Sequence, residues 1–219
     1  MKIDILRKQA PLLALIAFIC AVFVGQILFG PEWYRGWMVV PAKITSSWKN
    51  LITGDLSLVS VLPFLTLLTS ALLHGGIEHL LLNMIFLWIF AALIVELLGA
   101  RWMFILFLTS AIGGSIFHTI VNANEIIPML GASGAVMGFE GAYLGLAIRW
   151  KLPDPHIWPM ARPIPPANLA TLAVVGIIID VSGLMSSQSS NVAFGAHIGG
   201  FLVGMFITSF IAPRPDAAA

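Results

Sequence analysis

Apolar runs long enough to cross a bilayer, divided by short clusters of charge, restrict this chain more than any other feature. Pro11–Phe29 is the first of several runs of roughly 20 residues, the length that spans a hydrocarbon core of ~30 Å. The backbone finds no water at that depth, so each run must close its hydrogen bonds internally, as a helix does. Composition agrees: 59% of residues are hydrophobic and 10% are charged, against about 25% charged in a typical soluble domain. The chain therefore reads as an all-α membrane protein. Its net charge is +1 and no basic stripe occurs, which excludes nucleic acid as a partner. Cys20 is the only cysteine, so no internal disulfide can form.

Six helices are expected, at about Pro11–Phe29, Gly75–Leu98, Trp102–Val121, Ala132–Trp150, Ala167–Met185 and Val192–Ala212, in a single membrane domain over residues 1–219. The first follows Lys2, Arg7 and Lys8, as a signal peptide would. It is long for the apolar part of one, and the polytopic remainder favours a retained helix. Residues 30–59 hold Trp33, Tyr34, Arg35, Trp37 and Trp48. Aromatics of this kind suit the headgroup level, so this stretch reads as a re-entrant or interfacial loop. Gly99, Ala100 and Arg101 form a turn, and Asn122–Glu125 with Pro128 break the chain before the fourth helix. Pro153–Pro166 is a loop, for docking or merely for linking, and Ser186–Ser190 is a turn.

Six helices bring both termini to one side. Lys2, Arg7, Lys8, Arg101, Arg149, Lys151, Arg162 and Arg214 then share that side, and only Arg35, Lys43 and Lys49 lie opposite. The positive-inside rule makes both termini cytoplasmic, with a bacterial inner membrane as the expected location. Helices two, four and six then start at the outer face. His79, Ser133 and His197 lie near those three starts, and at 1.5 Å of rise per residue they reach similar depth.

A serine hydroxyl is a weak nucleophile until a base takes its proton, and histidine is the usual base. Ser133 sits between Gly131 and Gly134 at the start of a helix, where free N–H groups and the dipole favour a developing oxyanion. Taken alone, Gly-Ala-Ser-Gly is more often a small-residue packing face than a catalytic turn. Helix six shifts that balance with Gly195-Ala196-His197. Ala196, Gly200 and Gly204 recur at four-residue spacing, as do Gly134 and Gly138. Two such faces let backbones approach closely, which a serine and a histidine require to come within ~2.6–3.2 Å. A histidine held by a backbone carbonyl is the bland alternative for His197.

His79 and Asn83 lie four residues apart on one helix face, and both can donate to an oxyanion. Zinc is the weaker reading: no His-Glu-x-x-His occurs and asparagine is a poor zinc ligand. His74 precedes a glycine pair and reads as a brace for the loop. Glu140, seven residues after Ser133, shares its face ~10 Å deeper and reads as a buried structural carboxyl, with tuning of a hydrated cavity as the lesser reading. Asp180 likewise reads as structural, paired near the outer end of helix five. Glu96 reads as an ion pair near Arg101, and His118 as an interfacial cap.

With these residues in place, the chain resembles the rhomboid family of intramembrane serine proteases. His74, His79 and Asn83, then Gly131-Ala132-Ser133-Gly134, then Gly195-Ala196-His197 with Gly200 and Gly204, match in order and helix placement across about residues 60–212. The resemblance implies a six-helix bundle and a Ser133–His197 dyad without an aspartate. It also implies an oxyanion hole from the Ser133 backbone N–H, His79 and Asn83, in a cavity open to outside water. His74, Gly131, Gly134, Met137, Gly200 and Gly204 are its supporting residues. Met137 stands where many members carry a tyrosine, and Leu65-Thr66 where a Trp-Arg pair is common. The implied substrates are single-span membrane proteins, reached through the lipid near helix five, with no cofactor and no metal. An inactive relative serving as a membrane binding or chaperone module is the alternative, although such relatives generally lose the serine or histidine. A transporter would show inverted repeats with matching broken helices, and no convincing repeat is found.

Overall fold

A computed structural model of the protein describes residues 2–152, 166–186 and 192–215. Its main helices are α1 (Lys2–Phe29), α2 (Pro41–Ile52), α3 (Ile77–Leu98), α4 (Ala100–Val121), α5 (Ser133–Arg149), α6 (Pro166–Met185) and α7 (Phe194–Phe210). Short helical turns fill Leu58–Leu72. Among the described residues the one β contact is an isolated bridge between Val39 and Met129, so the protein is an all-α bundle. The expected loop Pro153–Pro166 and turn Ser186–Ser190 lie outside the described residues, apart from Pro166 and Ser186.

Apolar residues seven apart, two helical turns, mark the inward faces. Leu12 and Ile19 on α1, Leu87 and Ile94 on α3, and Phe139 and Leu146 on α5 are such pairs, and all six are fully buried. Among the described helices, α1, α3 and α4 are long and apolar enough to cross a membrane. Helices α5 and α7 have 17 residues each, or ~25 Å of rise.

Three boundaries depart from the sequence reading. Helix α1 starts at Lys2 rather than Pro11, because the turn before Pro11 is tied to α3. Lys8 Nζ reaches Glu96 Oε2 at 2.7 Å, and Gln9 Nε2 donates to Glu96 Oε1 at 2.9 Å. Glu96 therefore pairs with Lys8 and not, as expected, near Arg101. The turn between α3 and α4 is shorter than expected, since Gly99 makes it alone at φ +84, a conformation open to glycine. The stretch 30–59 contains α2, which buries Pro41, Ile44 and Ser47 at a spacing of three residues and exposes Trp48.

The tightest contact joins α5 to α7. A Cβ on Gly200 would overlap the carbonyl of Gly134, and one on Gly204 would overlap the carbonyl of Gly138. The two stripes noted in the sequence thus face one another, backbone against backbone. Further along, Thr208 Oγ1 donates to the Ala142 carbonyl at 2.8 Å, and Arg149 Nη1 donates to the Thr208 carbonyl at 2.9 Å. Helix α4 joins this pair through Gly114, where a Cβ would meet the Ala196 carbonyl. Because main chain cannot rotate aside as a side chain can, Gly200→Ala should lower stability by at least about 1–3 kcal/mol, the usual cost of overpacking. Thermal unfolding in detergent checks this, and an unchanged midpoint would show that the two helices can part without penalty.

Candidate active site

The site is assembled at the N-terminal ends of α3, α5 and α7, and each end is held by a different neighbour. Gln26 of α1 clasps the main chain of His74: its Oε1 accepts the His74 N–H at 2.9 Å and its Nε2 donates to the His74 carbonyl at 3.1 Å. This fixes the loop that leads into α3. His74 is 2% exposed, and its ring stands edge-on to His79 with ring centroids 5.2 Å apart.

His79 receives its orientation from the glycines before it. The Gly75 N–H donates to His79 Nδ1 at 3.3 Å. A neutral imidazole accepting at Nδ1 carries its proton on Nε2. That donor faces Gly131: His79 Nε2 lies 2.8 Å, and Ser133 Oγ 3.8 Å, from the point where a Gly131 Cβ would sit. Gly131 also has φ +127, where a side chain would be strained. Its absent side chain thus leaves the space that separates His79 from Ser133.

The loop preceding Ser133 is pinned from both sides. Val39 and Met129 exchange two backbone bonds of 3.1 and 2.7 Å, the Ala42 N–H donates to Glu125, and the Gly131 N–H donates to Ser70 at 2.9 Å. The interfacial segment and the turns of Leu58–Leu72 therefore set where α5 begins. Ser133 is the first residue of α5, and Ala132 at the cap position makes no side-chain bond to the first turn. A serine, asparagine or aspartate cap would add about 1 kcal/mol. Alanine instead leaves first-turn N–H groups without that partner, next to the serine hydroxyl.

Asn83 is buried one turn after His79, and its amide donates to the His79 carbonyl at 2.9 Å. An amide nitrogen carries two hydrogens, so this bond orients the group with a second donor to spare. His197 opens the second turn of α7, next to Ala196, whose carbonyl lies 3.1 Å from the Cβ position of Gly134. Ser133 and His197 are thus the sequence neighbours of two residues in direct contact. His79 and His118 both lie close enough to His197 to interact with it electrostatically. The end of α4 is closed by Asn122, which donates to the His118 carbonyl at 3.0 Å.

One partner was not expected. His197 Nδ1 lies 3.0 Å from Asp180 Oδ1 of α6, so the carboxylate read as merely structural contacts the histidine of a dyad expected to lack one. The signal was present in α6, where Ala173, Gly176, Asp180 and Gly183 recur at helical spacing amid bulky apolar residues. Met137 of α5 faces the same helix, its Cε 3.8 Å from the Cβ position of Gly176. Glu140 is buried on α5 within electrostatic range of Asp180.

Comparison with known proteins matches this sequence to one family. Residues 63–214 match the model of the Rhomboid domain. The rhomboid protein YdcA of Bacillus subtilis is 30% identical over 173 residues, 78% of this chain and 79% of its own. Rhomboid protease GluP of the same organism is 30% identical over 163 residues, covering 74% of this chain and 29% of GluP. The mitochondrial Rhomboid protein 1 of Saccharomyces cerevisiae is 28% identical over 167 residues, 74% of this chain and 44% of its own. YdcA apart, the chain spans less than half the length of these relatives. The protein is an all-α integral membrane protein, and it belongs to the rhomboid family.

The geometry at Gly131 makes a specific demand on His79. Gly131→Ala should displace the His79 ring and slow labelling of Ser133 by a fluorophosphonate by roughly 10²–10³-fold, the usual cost of one lost oxyanion donor. Labelling at the parent rate would separate His79 from the chemistry.

Proposed function

We propose that this protein is an intramembrane serine endopeptidase that cleaves transmembrane segments of single-span membrane proteins. The observation that carries the reading is the convergence of Ser133, His79 and His197 at the starts of three largely apolar helices. Family membership supports it, as GluP is itself named a rhomboid protease.

Ser133 Oγ attacks the scissile carbonyl carbon while His197 Nε2 takes its proton. The carbonyl oxygen becomes an oxyanion, stabilised by the Ser133 backbone N–H, by His79 Nε2–H and by the spare amide hydrogen of Asn83. The histidine then gives the proton to the departing amine. Water, activated by the same histidine, releases the acyl group and restores the serine. The substrate helix must unwind locally, because an intact helix buries its peptide carbonyls in its own hydrogen bonds.

Helix length supports a site below the membrane surface. Helices α5 and α7, with ~25 Å of rise, are shorter than a core of ~30 Å. With Arg149 at the charged face, Ser133 ends short of the opposite one. Six crossings with both termini on the Lys/Arg-rich side fit the charge distribution, as does a bacterial inner membrane. Lipids and substrate are then the partners, and no cofactor takes part in the scheme.

The test is cleavage of a generic single-span substrate by the purified protein in liposomes, beside folded Ser133→Ala and His197→Ala variants. The parent should cleave, and both variants should fall by roughly 10⁴-fold or more. Persistent cleavage in either variant removes that residue from the mechanism. A silent parent that also resists fluorophosphonate labelling would favour a binding module on the same fold.

A further inference from the structure

Helix α6 meets the rest of the bundle through a narrow stripe. Ala173 is fully buried, while Leu172, Val174, Val175, Ile178, Ile179 and Val181 are exposed. Gly176 packs on Met137 of α5, and a Cβ on Gly183 would overlap the Phe194 ring at the start of α7. Asp180 lies between these two glycines on the same face, four residues after one and three before the other. The helix is therefore docked closely on both sides of its carboxylate. Asp180 is 6% exposed, and the His197 side chain 18%.

A carboxylate buried among membrane helices is costly unless it is paired. Here the partner is a ring nitrogen at 3.0 Å. An ionised carboxylate only accepts hydrogen bonds, so this contact requires the proton of a neutral His197 to sit on Nδ1. Nε2 is then left as the bare nitrogen, the state in which it can take a proton from a hydroxyl. Left to itself, a neutral imidazole divides between two tautomers and turns about its side-chain bonds. One of those tautomers cannot act as a base at Nε2.

We propose that Asp180 is a positioning residue for the reaction, a third member that holds His197 in the tautomer and orientation needed to activate Ser133. The inference rests on the protease reading above, and it replaces the dyad with an Asp180–His197–Ser133 array drawn from α6, α7 and α5. Asp180 does not touch substrate; it acts through the ring. The other titratable groups around it are Glu140 of α5, near Asp180, and His79 of α3 and His118 of α4, near His197. None of these is hydrogen-bonded to His197 Nδ1 among the described residues, and Asp180 is.

The experiment compares the full-length parent with Asp180→Asn and Asp180→Glu in liposomes, using a generic single-span substrate and fluorophosphonate labelling of Ser133. An asparagine can present its amide hydrogens to Nδ1 and stabilise the wrong tautomer. Asp180→Asn should lower kcat by roughly 10²–10⁴-fold, leave KM within about 2-fold and slow labelling in parallel. Asp180→Glu, which keeps the acceptor, should recover part of the loss. Nitrogen-15 NMR of histidine in the parent should place the His197 proton on Nδ1. A folded Asp180→Asn with kcat within about 3-fold of the parent, or one changed in KM alone, overturns the proposal while the protease reading stands. So does a parent spectrum with the proton on Nε2, whether or not any variant folds. A parent that neither cleaves nor labels overturns both together.

Discussion

The contact on which the site depends is the approach of α5 to α7 through facing glycines. In lipid, helices gain little from hiding apolar surface from one another, and association rests on close packing and a few hydrogen bonds. Gly134 and Gly138 against Gly200 and Gly204 supply the packing, and Thr208 with Arg149 supplies the bonds. The consequence is chemical as well as structural. Ser133 and His197 are each next in sequence to a residue of this contact, so the separation of the two helix axes also sets the separation of hydroxyl and imidazole. A larger residue in the stripe would widen both.

The rest of the bundle serves to fix where the helices start. Ser133 opens α5 only because the preceding loop is fastened by Val39, Ala42 and Ser70. His79 faces that serine because Gly75 occupies its other ring nitrogen, and Gly75 is positioned by the Gln26 clasp on His74. Each device removes a degree of freedom from a side chain that would otherwise sample several rotamers. A candidate site among membrane helices can be preorganised in this way with few polar groups, since every additional one would have to be satisfied away from water.

Much of this was legible in the residues. The bundle followed from apolar runs of bilayer length, and the small-residue faces of α5 and α7 followed from four-residue spacing, which in a helix can only mean one side. The grouping of His79, Ser133 and His197 followed from placing three helix starts on one face. What the sequence concealed was pairing at long range. Glu96 has Arg101 five residues away, yet its carboxylate is taken by Lys8, 88 residues off. Helix α2 was hidden in a loop because its polar content (Lys43, Thr45, Ser46, Ser47, Lys49 and Asn50) masks the short apolar stripe that it buries. Asp180 reads as an isolated charge in an apolar run, and nothing in the local pattern names the helix that satisfies it.

That last case shows why a partner in a membrane carries more information than one at a surface. An exposed carboxylate can lose its neighbour for little cost, because water replaces it. For a carboxylate as buried as Asp180, only protein groups or a trapped water can do so. Helix α6 carries no other charged residue along its described length and presents mostly exposed apolar residues, so a carboxylate on its narrow inner stripe is costly unless something is gained. The contact with His197 satisfies the carboxylate, and under the proposal above it also selects one of two tautomers in the ring. In that proposal the tautomer so selected bares the nitrogen that would take the serine proton, whereas an asparagine of the same shape could select either. The acidity of the residue, rather than its size, is therefore the property that its position in the bundle explains.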